Sequence, residues 1–402
     1  MKAYARVLRS GGFGRLWLGA SVSLLGDGMT FLALSWLVVE DGGPELLGLL
    51  GVCFTAPVVV GGLAVGPLLD RVDKRTLLVC DSLFRAECVA AVPVAATLGD
   101  VPTALPFVVA GVYGLLKMVP LAGFPAAIPQ LVKESDLDTA NALESLSFSV
   151  ATVVGPAAAG VLVGVIGAPQ VLLIDALTYV FFAGAVATLR TPLPPQRAHP
   201  AGGGPSTRRA MRAVGRDRVI VATTVAFMLF NVAEGMLLLV VGPWLVKNEL
   251  AGGAASLGLL IAAMAAGEFV GAALAGSGRG GWAGGASVRR IGLFQVGAAL
   301  SVLPLLDVAR PVVVGAAFFG VGLLSAPMTV WAQSLRMRRI PPEMHGRSFA
   351  ALRTLMQGTP PVGAAIAAPL LVHGGLGPAV LTMAVLAGAP GLYLLSSASA
   401  KG

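Results

Sequence analysis

Charge is scarce in this chain. Asp, Glu, Lys and Arg make up 12% of 402 residues, about half of what a soluble domain carries, while 56% of residues are apolar and the mean hydropathy is +0.84. That shortage excludes a water-soluble globular protein. Cysteine is equally sparse: Cys53, Cys80 and Cys88 are odd in number and lie within apolar runs, so they read as small packing residues rather than a disulfide framework. The three histidines, His199, His345 and His373, fall in loops or at the ends of runs with no partner at i+4, which excludes a zinc site of the helical kind. No metal and no cofactor is expected. The P-loop pattern G-x-x-x-x-G-K-[ST] is absent, so any work the chain does must draw on a gradient or a partner subunit. One G-x-G-x-x-G does occur, at Gly276 to Gly281; it follows an apolar run rather than a strand, so it reads as a flexible loop, not a dinucleotide site.

What the chain has in abundance is long apolar runs. Lipid offers the backbone no hydrogen bonds, so such runs must be helices, and about 20 residues cross a hydrocarbon core of about 30 Å. Runs bounded by charge, Gly or Pro place twelve spans near residues 16–39, 44–69, 76–98, 103–125, 138–166, 168–189, 217–241, 255–277, 289–306, 311–335, 346–372 and 376–396. The first run is too long for a signal peptide and ends at Glu40-Asp41 rather than at small residues, so it reads as a span. The fold class is therefore all-α integral membrane, with twelve helices.

With the N-terminus in the cytoplasm, 23 of the 28 basic residues fall in inner segments and two, Lys247 and Arg310, in outer loops. The positive-inside rule then places both termini in the cytoplasm of a multi-pass protein of the cell membrane. The net charge of +8 is spread over those inner loops rather than gathered on one soluble face. It suits anionic membrane lipid better than nucleic acid. Thr191 to Thr207 (TPLPPQRAHPAGGGPST) has too little apolar content to bury and reads as a linker. The domain expectation is a six-helix half at 1–190, a cytoplasmic linker at 191–216 and a second six-helix half at 217–402.

The halves repeat one another. A shift of 210 lays Leu47-Gly48-Leu49-Leu50 on Leu257-Gly258-Leu259-Leu260, a shift of 207 lays Asp27-Gly28-Met29 on Glu234-Gly235-Met236, and 208 lays Trp36 on Trp244. Parallel halves of this kind place a ligand between them near the midplane.

Five stretches carry a family resemblance, one of them Asp81 to Ala86 (DSLFRA) after the basic loop. Gly66-Pro67-Leu68-Leu69-Asp70-Arg71-Val72-Asp73-Lys74-Arg75 resembles the loop 2–3 signature of the major facilitator superfamily, with Asp73 where that pattern has Gly. Gly155-Pro156-Ala157-Ala158-Ala159-Gly160 is similar to the kink motif of its antiporter branch, with Ala151 and Ala159 at Gly positions. Gly26-Asp27 with Ala33-Leu34-Ser35-Trp36, and Phe124 to Val132 leading to Ala140-Asn141-Ala142, resemble the macrolide-efflux and enterobactin-exporter group. The resemblance implies a monomeric transporter that exports a small molecule such as a drug, antibiotic or siderophore in exchange for protons. It implies a gate at Gly66, Asp70, Arg71, Lys74 and Arg75, a helix kink at Gly155, Pro156 and Gly160, and a cavity lined by spans 1, 4, 7 and 10.

Ionisable residues within spans are costly and mark function. They are Asp27, Arg85, Glu87, Lys117, Asp175, Glu234, Glu268 and Arg353. Cavity-lining spans hold Asp27, Lys117 and Glu234, and the repeat makes Asp27 and Glu234 equivalent. Asp27, Lys117, Glu234, Glu268 and Arg353 are the candidates for proton coupling or substrate contact. Asp81 and Arg85, four apart on one helical face, read as a structural pair. Two alternatives share parts of this pattern: a nutrient symporter of the same fold, and a polytopic membrane enzyme or lipid-handling protein. The last would need His, Asp or Cys clustered at one interface, and no such cluster is present in the sequence, so the chain is expected not to be an enzyme.

Overall fold

The computed structural model describes residues 2–10, 12–133, 136–194, 215–277, 287–308, 310–340, 348, 352, 355–356 and 358–399. All regular structure among them is helical. A short α1 (Lys2–Leu8) precedes α2 (Phe13–Asp41), α3 (Pro44–Arg71), α4 (Lys74–Leu98), α5 (Leu105–Leu116), α6 (Met118–Leu131), α7 (Leu137–Ile166) and α8 (Ala168–Ala187). After the linker come α9 (Arg218–Met236), a π-helical turn at Leu237–Val241, α10 (Gly242–Asn248), α11 (Gly253–Ser277), α12 (Val288–Leu300), α13 (Pro311–Arg339), α14 (Pro360–Gly374) and α15 (Leu376–Ser399). Residues 195–214 of the expected linker, and much of the expected span 346–372, lie outside the described residues.

Among the described residues, ten helical stretches are long and apolar enough to cross a membrane. α4 fails that test only because it carries Lys74, Arg75, Asp81, Arg85 and Glu87. α14 is a shorter apolar helix of 15 residues. With these two the spans number twelve. The fourth span is α5 and α6 joined at Lys117; Pro120 cannot donate to the Leu116 carbonyl, which weakens the ladder at that junction. The seventh span is α9, the π-turn and α10, and such turns gather at functional sites.

Helix ends follow local chemistry. Asp73 is the N-cap of α4, accepting the Thr76 amide at 3.1 Å; this explains an acid where the loop signature has Gly. Arg75 then ties α4 to the end of α8 by donating to the Ala187 carbonyl, and Lys74 ties it to the segment that follows, its Nζ donating to the Pro194 carbonyl at 2.9 Å. Asp217 caps α9, accepting from the Val219 and Ile220 amides at 2.8 and 3.2 Å, and pairs with Arg339 at 3.0 Å. Burial works against its charged form, but the Ile220 amide, the Arg339 guanidinium and the Val219 amide outweigh it and hold the carboxyl below its ordinary range. A lowered pKa gives stability that is complete above the unfolded value of about 3.9 and is lost as pH falls through the folded one. Asp217→Ala should therefore cost about 1 kcal/mol at neutral pH, a difference from wild type that shrinks on acidification in thermal melts; a gap that stays constant to pH 3 rules out this account.

The chain forms two compact units: residues 1–41, 53–200 and 253–258, and residues 42–52, 201–252 and 259–402. In the first, α2 packs on α7 and α8, and α4 on α8. Its core gathers Phe13, Leu16, Leu78, Phe124, Ile128, Phe182 and Val186. In the second, α12 and α9 both pack on α15. Gln295 of α12, fully buried, clamps them by donating to the Ala226 and Ala387 carbonyls, both at 3.0 Å.

Candidate functional site

The charged residues of the first unit converge. α2 brings Asp27 and Thr30, α4 brings Asp81 and Arg85, α5 brings Tyr113, and α8 brings Asp175, Thr178 and Tyr179. Arg85 is the centre: its Nη2 contacts Asp27 Oδ1 at 2.5 Å and donates to Tyr179 Oη at 2.9 Å, and Tyr179 in turn donates to the same Asp27 oxygen at 2.5 Å. The guanidinium carbon lies over the rings of Tyr179 and Tyr113, 4.3 and 4.9 Å from their centroids. Such stacking favours Arg over Lys. Asp81 Oδ2 stands 3.9 Å from Arg85 Nη1, and neither Asp81 oxygen accepts a hydrogen bond among the described residues. Asp175 is fully buried and accepts from Thr30 and, at 3.1 Å, from Thr178.

The helices meet closely enough for this because of glycine. Gly26 leaves the space that the Asp175 carboxylate and Thr178 hydroxyl fill. Gly28 and Gly155 bring the backbones of α2 and α7 together: a Cβ on Gly155 would stand 2.9 Å from both Gly28 Cα and the Leu25 carbonyl. The expected kink residues thus act on the helix that carries Asp27. Pro156 touches the Gly28 position, and Gly160 packs against Ala254 and Gly258, residues that cluster with this unit. Gly155→Val should force α2 and α7 apart, lowering stability by about 1–3 kcal/mol and transport with it, as thermal melts and flux would show; a variant of wild-type stability would refute the contact.

Four charges in one buried site are more than packing requires. Three carboxylates face one guanidinium, so complete ionisation leaves two negative charges uncompensated in a medium where each is expensive. Access differs among them: the Asp27 side chain is 14% exposed, those of Arg85 and Asp81 2%. Asp27 is the most exposed of these three charged side chains.

The other expected site residues are distributed as follows. Asp81 and Arg85 are neighbours, but the shorter contact of Arg85 is to Asp27. The Lys117 Nζ lies 5.9 Å from the centroid of the Phe54 ring, which stacks on Tyr113 at 4.5 Å and so links it to the cluster through aromatic contacts. Glu87 sits on the exposed face of α4. Glu234 and Glu268 belong to the second unit, on α9 and α11, within Coulombic reach of each other. Glu234 lies three residues before the π-turn. Arg353 lies outside the described residues, as do the surroundings of Gly66 and the side chain of Asp70, while Arg71 is exposed at the end of α3.

Sequence reasoning had not assigned Asp175, Thr30, Thr178, Tyr113 or Tyr179 to a site. A signal existed: the chain has four tyrosines, two of them in mid-span, and Asp175, Thr178 and Tyr179 share a helical face at i, i+3 and i+4.

The family model for the Major Facilitator Superfamily matches residues 16–364. The chain belongs to that superfamily. Among relatives, an uncharacterised MFS-type transporter of Sinorhizobium fredii is 26% identical over 92% of this chain and 91% of its own length. The multidrug efflux pump Tap of Mycolicibacterium fortuitum is 28% identical over 41% of this chain and 42% of its own, and macrolide efflux protein A of Streptococcus pyogenes 25% identical over 45% of each. Of solved structures, a peptide transporter POT mutant superposes with a TM-score of 0.72 at 13% identity, covering 97% of this chain and 94% of its own. The nucleoside transporter NupG gives a TM-score of 0.67 at 12% identity, covering 97% and 98%. These superpositions carry the fold alone. This superfamily member is a multi-pass membrane transporter, and the reading as a polytopic membrane enzyme gives way.

Proposed function

We propose that this chain is a proton-coupled exporter of a small organic molecule, with Asp27 as the carboxylate that takes up the proton. The observation that carries the reading is the excess of three carboxylates over one guanidinium around Arg85, inside spans that otherwise avoid charge. A proton on Asp27 weakens its contact with Arg85. The guanidinium then has a second partner ready, since Asp81 stands at 3.9 Å with both oxygens unused. Transfer of Arg85 from Asp27 on α2 to Asp81 on its own helix changes what holds α2 to α4, which is the kind of local two-state change that alternating access needs. Tyr179 follows, because its hydroxyl bridges Arg85 and Asp27.

Export, rather than import, is supported by the relatives named as efflux pumps and by the Gly155-Pro156 motif. The orientation that follows from the basic residues places both termini in the cytoplasm. Glu234 and Glu268, paired in the second unit, are the counterpart site for substrate or a second proton.

Everted vesicles decide the matter. Energised vesicles should accumulate a transported dye or drug, an uncoupler should collapse the gradient of that compound, and a reporter fused after Pro200 should read cytoplasmic. Accumulation only in right-side-out vesicles makes the protein an importer; accumulation insensitive to the uncoupler removes the proton.

A further inference from the structure

The helix that supplies Arg85 carries a further charge that the cluster does not use. Glu87 lies one residue past the midpoint of α4 (Lys74–Leu98). Two positions on from Arg85, it falls on the opposite side of the helix. Asp81 and Arg85 are buried, whereas Cys80, Leu83, Phe84, Glu87 and Val94 are exposed, Phe84 and Val94 by 51% and 54%. In a helix that crosses a bilayer, this exposed face meets acyl chains. From mid-span either interface is roughly 15 Å away, farther than a glutamate side chain reaches, so Glu87 cannot snorkel to water. Among the described residues it makes no hydrogen bond and no ion pair. Ionisable groups at that depth are costly and are found with partners. Spacing says what kind of partner fits. Cys80, Phe84, Glu87, Ala91, Val94 and Leu98 follow one another at alternating intervals of four and three, the period along which two helices pack side by side.

We infer that α4 is the interface of a two-fold homodimer, in which Glu87 hydrogen-bonds the partner's Glu87 inside the bilayer. Two copies inserted with the same orientation have parallel α4 helices, and a two-fold axis along the membrane normal sets each position of the stripe against itself. Two carboxyls in contact do not both ionise, so one keeps its proton and donates it to the other. Polar side chains join membrane helices in this way, and a single polar position in an apolar seam fixes the register. A second copy brings the matching group at the same depth. It has no other match to offer, because among the described residues every exposed lysine or arginine of a spanning helix lies near one of its ends. Contact between copies through unlike surfaces would therefore leave Glu87 without a polar partner, and contact through like surfaces supplies one. The pair stands in place of the monomer that the family resemblance implies, and it does not rest on proton coupling or on the direction of transport.

Cys80 reports on this seam, since it is exposed and lies seven residues before Glu87 on the same stripe. In membranes holding the full-length protein with Cys53→Ser and Cys88→Ser, copper phenanthroline should oxidise the two Cys80 thiols of a dimer to a disulfide, read as a reducible band of twice the mass on a denaturing gel. In a cysteine-free background Val94→Cys, seven residues after Glu87, should cross-link as well, whereas Leu381→Cys, at a position 53% exposed on α15, should not. Glu87→Leu should lower both the Cys80 cross-link and the co-purification of differently tagged copies by roughly fivefold. Glu87→Gln, whose amide donates and accepts, should keep both. A leucine on a lipid-facing surface leaves each copy folded, which a monodisperse elution profile checks. Cross-linking at Cys80 and Val94→Cys no better than at Leu381→Cys, or a Glu87→Leu protein that pairs like wild type, overturns the assignment. So does a Glu87→Gln protein that pairs as poorly as Glu87→Leu, the mark of a different partner that brings a cation.

Discussion

Asp27→Asn should abolish uphill transport while leaving substrate binding and downhill exchange in place. An imposed gradient of about one pH unit, coupled through one proton, supports up to roughly tenfold accumulation, the equivalent of about 1.4 kcal/mol. With no carboxylate to take up the proton at the most exposed acid of the cluster, the ratio falls to unity and loses its dependence on pH. The amide is close in size and can still accept from Tyr179 and Arg85, so the fold should persist. Vesicle flux at several pH values reads this out. An Asp27→Asn variant with normal pH-dependent accumulation would remove Asp27 as the carrier and direct attention to Glu234 and Glu268.

Arg85→Gln should have the larger effect on the protein itself. The guanidinium is the counter-charge for Asp27 and Asp81 and sits over two tyrosine rings. Removing one member of a buried pair and leaving the other costs about 3–5 kcal/mol. The thermal midpoint in detergent should drop, and transport should disappear. Asp27→Asn combined with Arg85→Gln should recover part of that stability, since it removes an uncompensated charge, and the departure from additivity measures the pair. Arg85→Lys should restore charge but not the fork that reaches Asp27 and Tyr179 together, so it should fold better than Arg85→Gln without transporting like wild type. A stable, active Arg85→Gln protein would mean that the cluster neither couples protons nor holds α2 to α4.

Sequence and structure divided the work at this site unevenly. Asp81 and Arg85 were legible because i and i+4 share a face of any helix. Asp27 and Arg85 are 58 positions apart on different spans, and nothing in either helix's own pattern says which way each faces. In a soluble helix an apolar stripe supplies that direction; these spans are apolar on nearly every side, so the pattern is silent. The repeat drew Asp27 toward Glu234 by symmetry and the resemblance drew it toward Lys117 as a cavity residue, whereas packing of α2 against α8 and of α4 against α8 placed it beside Arg85 and Tyr179. Asp175 shows the same limit: it was visible as a charge in a span, but its hydrogen bond with Thr30 depends on Gly26 leaving room for it.

Composition determined that the chain lives in a bilayer and is helical, because the absence of backbone partners in lipid leaves a chain this apolar few other solutions, and the order of its apolar runs gave the number of crossings. Motif spacing determined the superfamily, and Asp73, odd as a member of the loop signature, only made sense once it was found capping α4. The tertiary structure decided which ionisable groups act together. The close approach of α2 to α7 at Gly28 and Gly155, and the gathering of α2, α4, α5 and α8 around Arg85, join Asp27, Asp175 and the Asp81–Arg85 pair from three spans into one site, and azimuthal facing between helices is information that a membrane sequence does not write along its length.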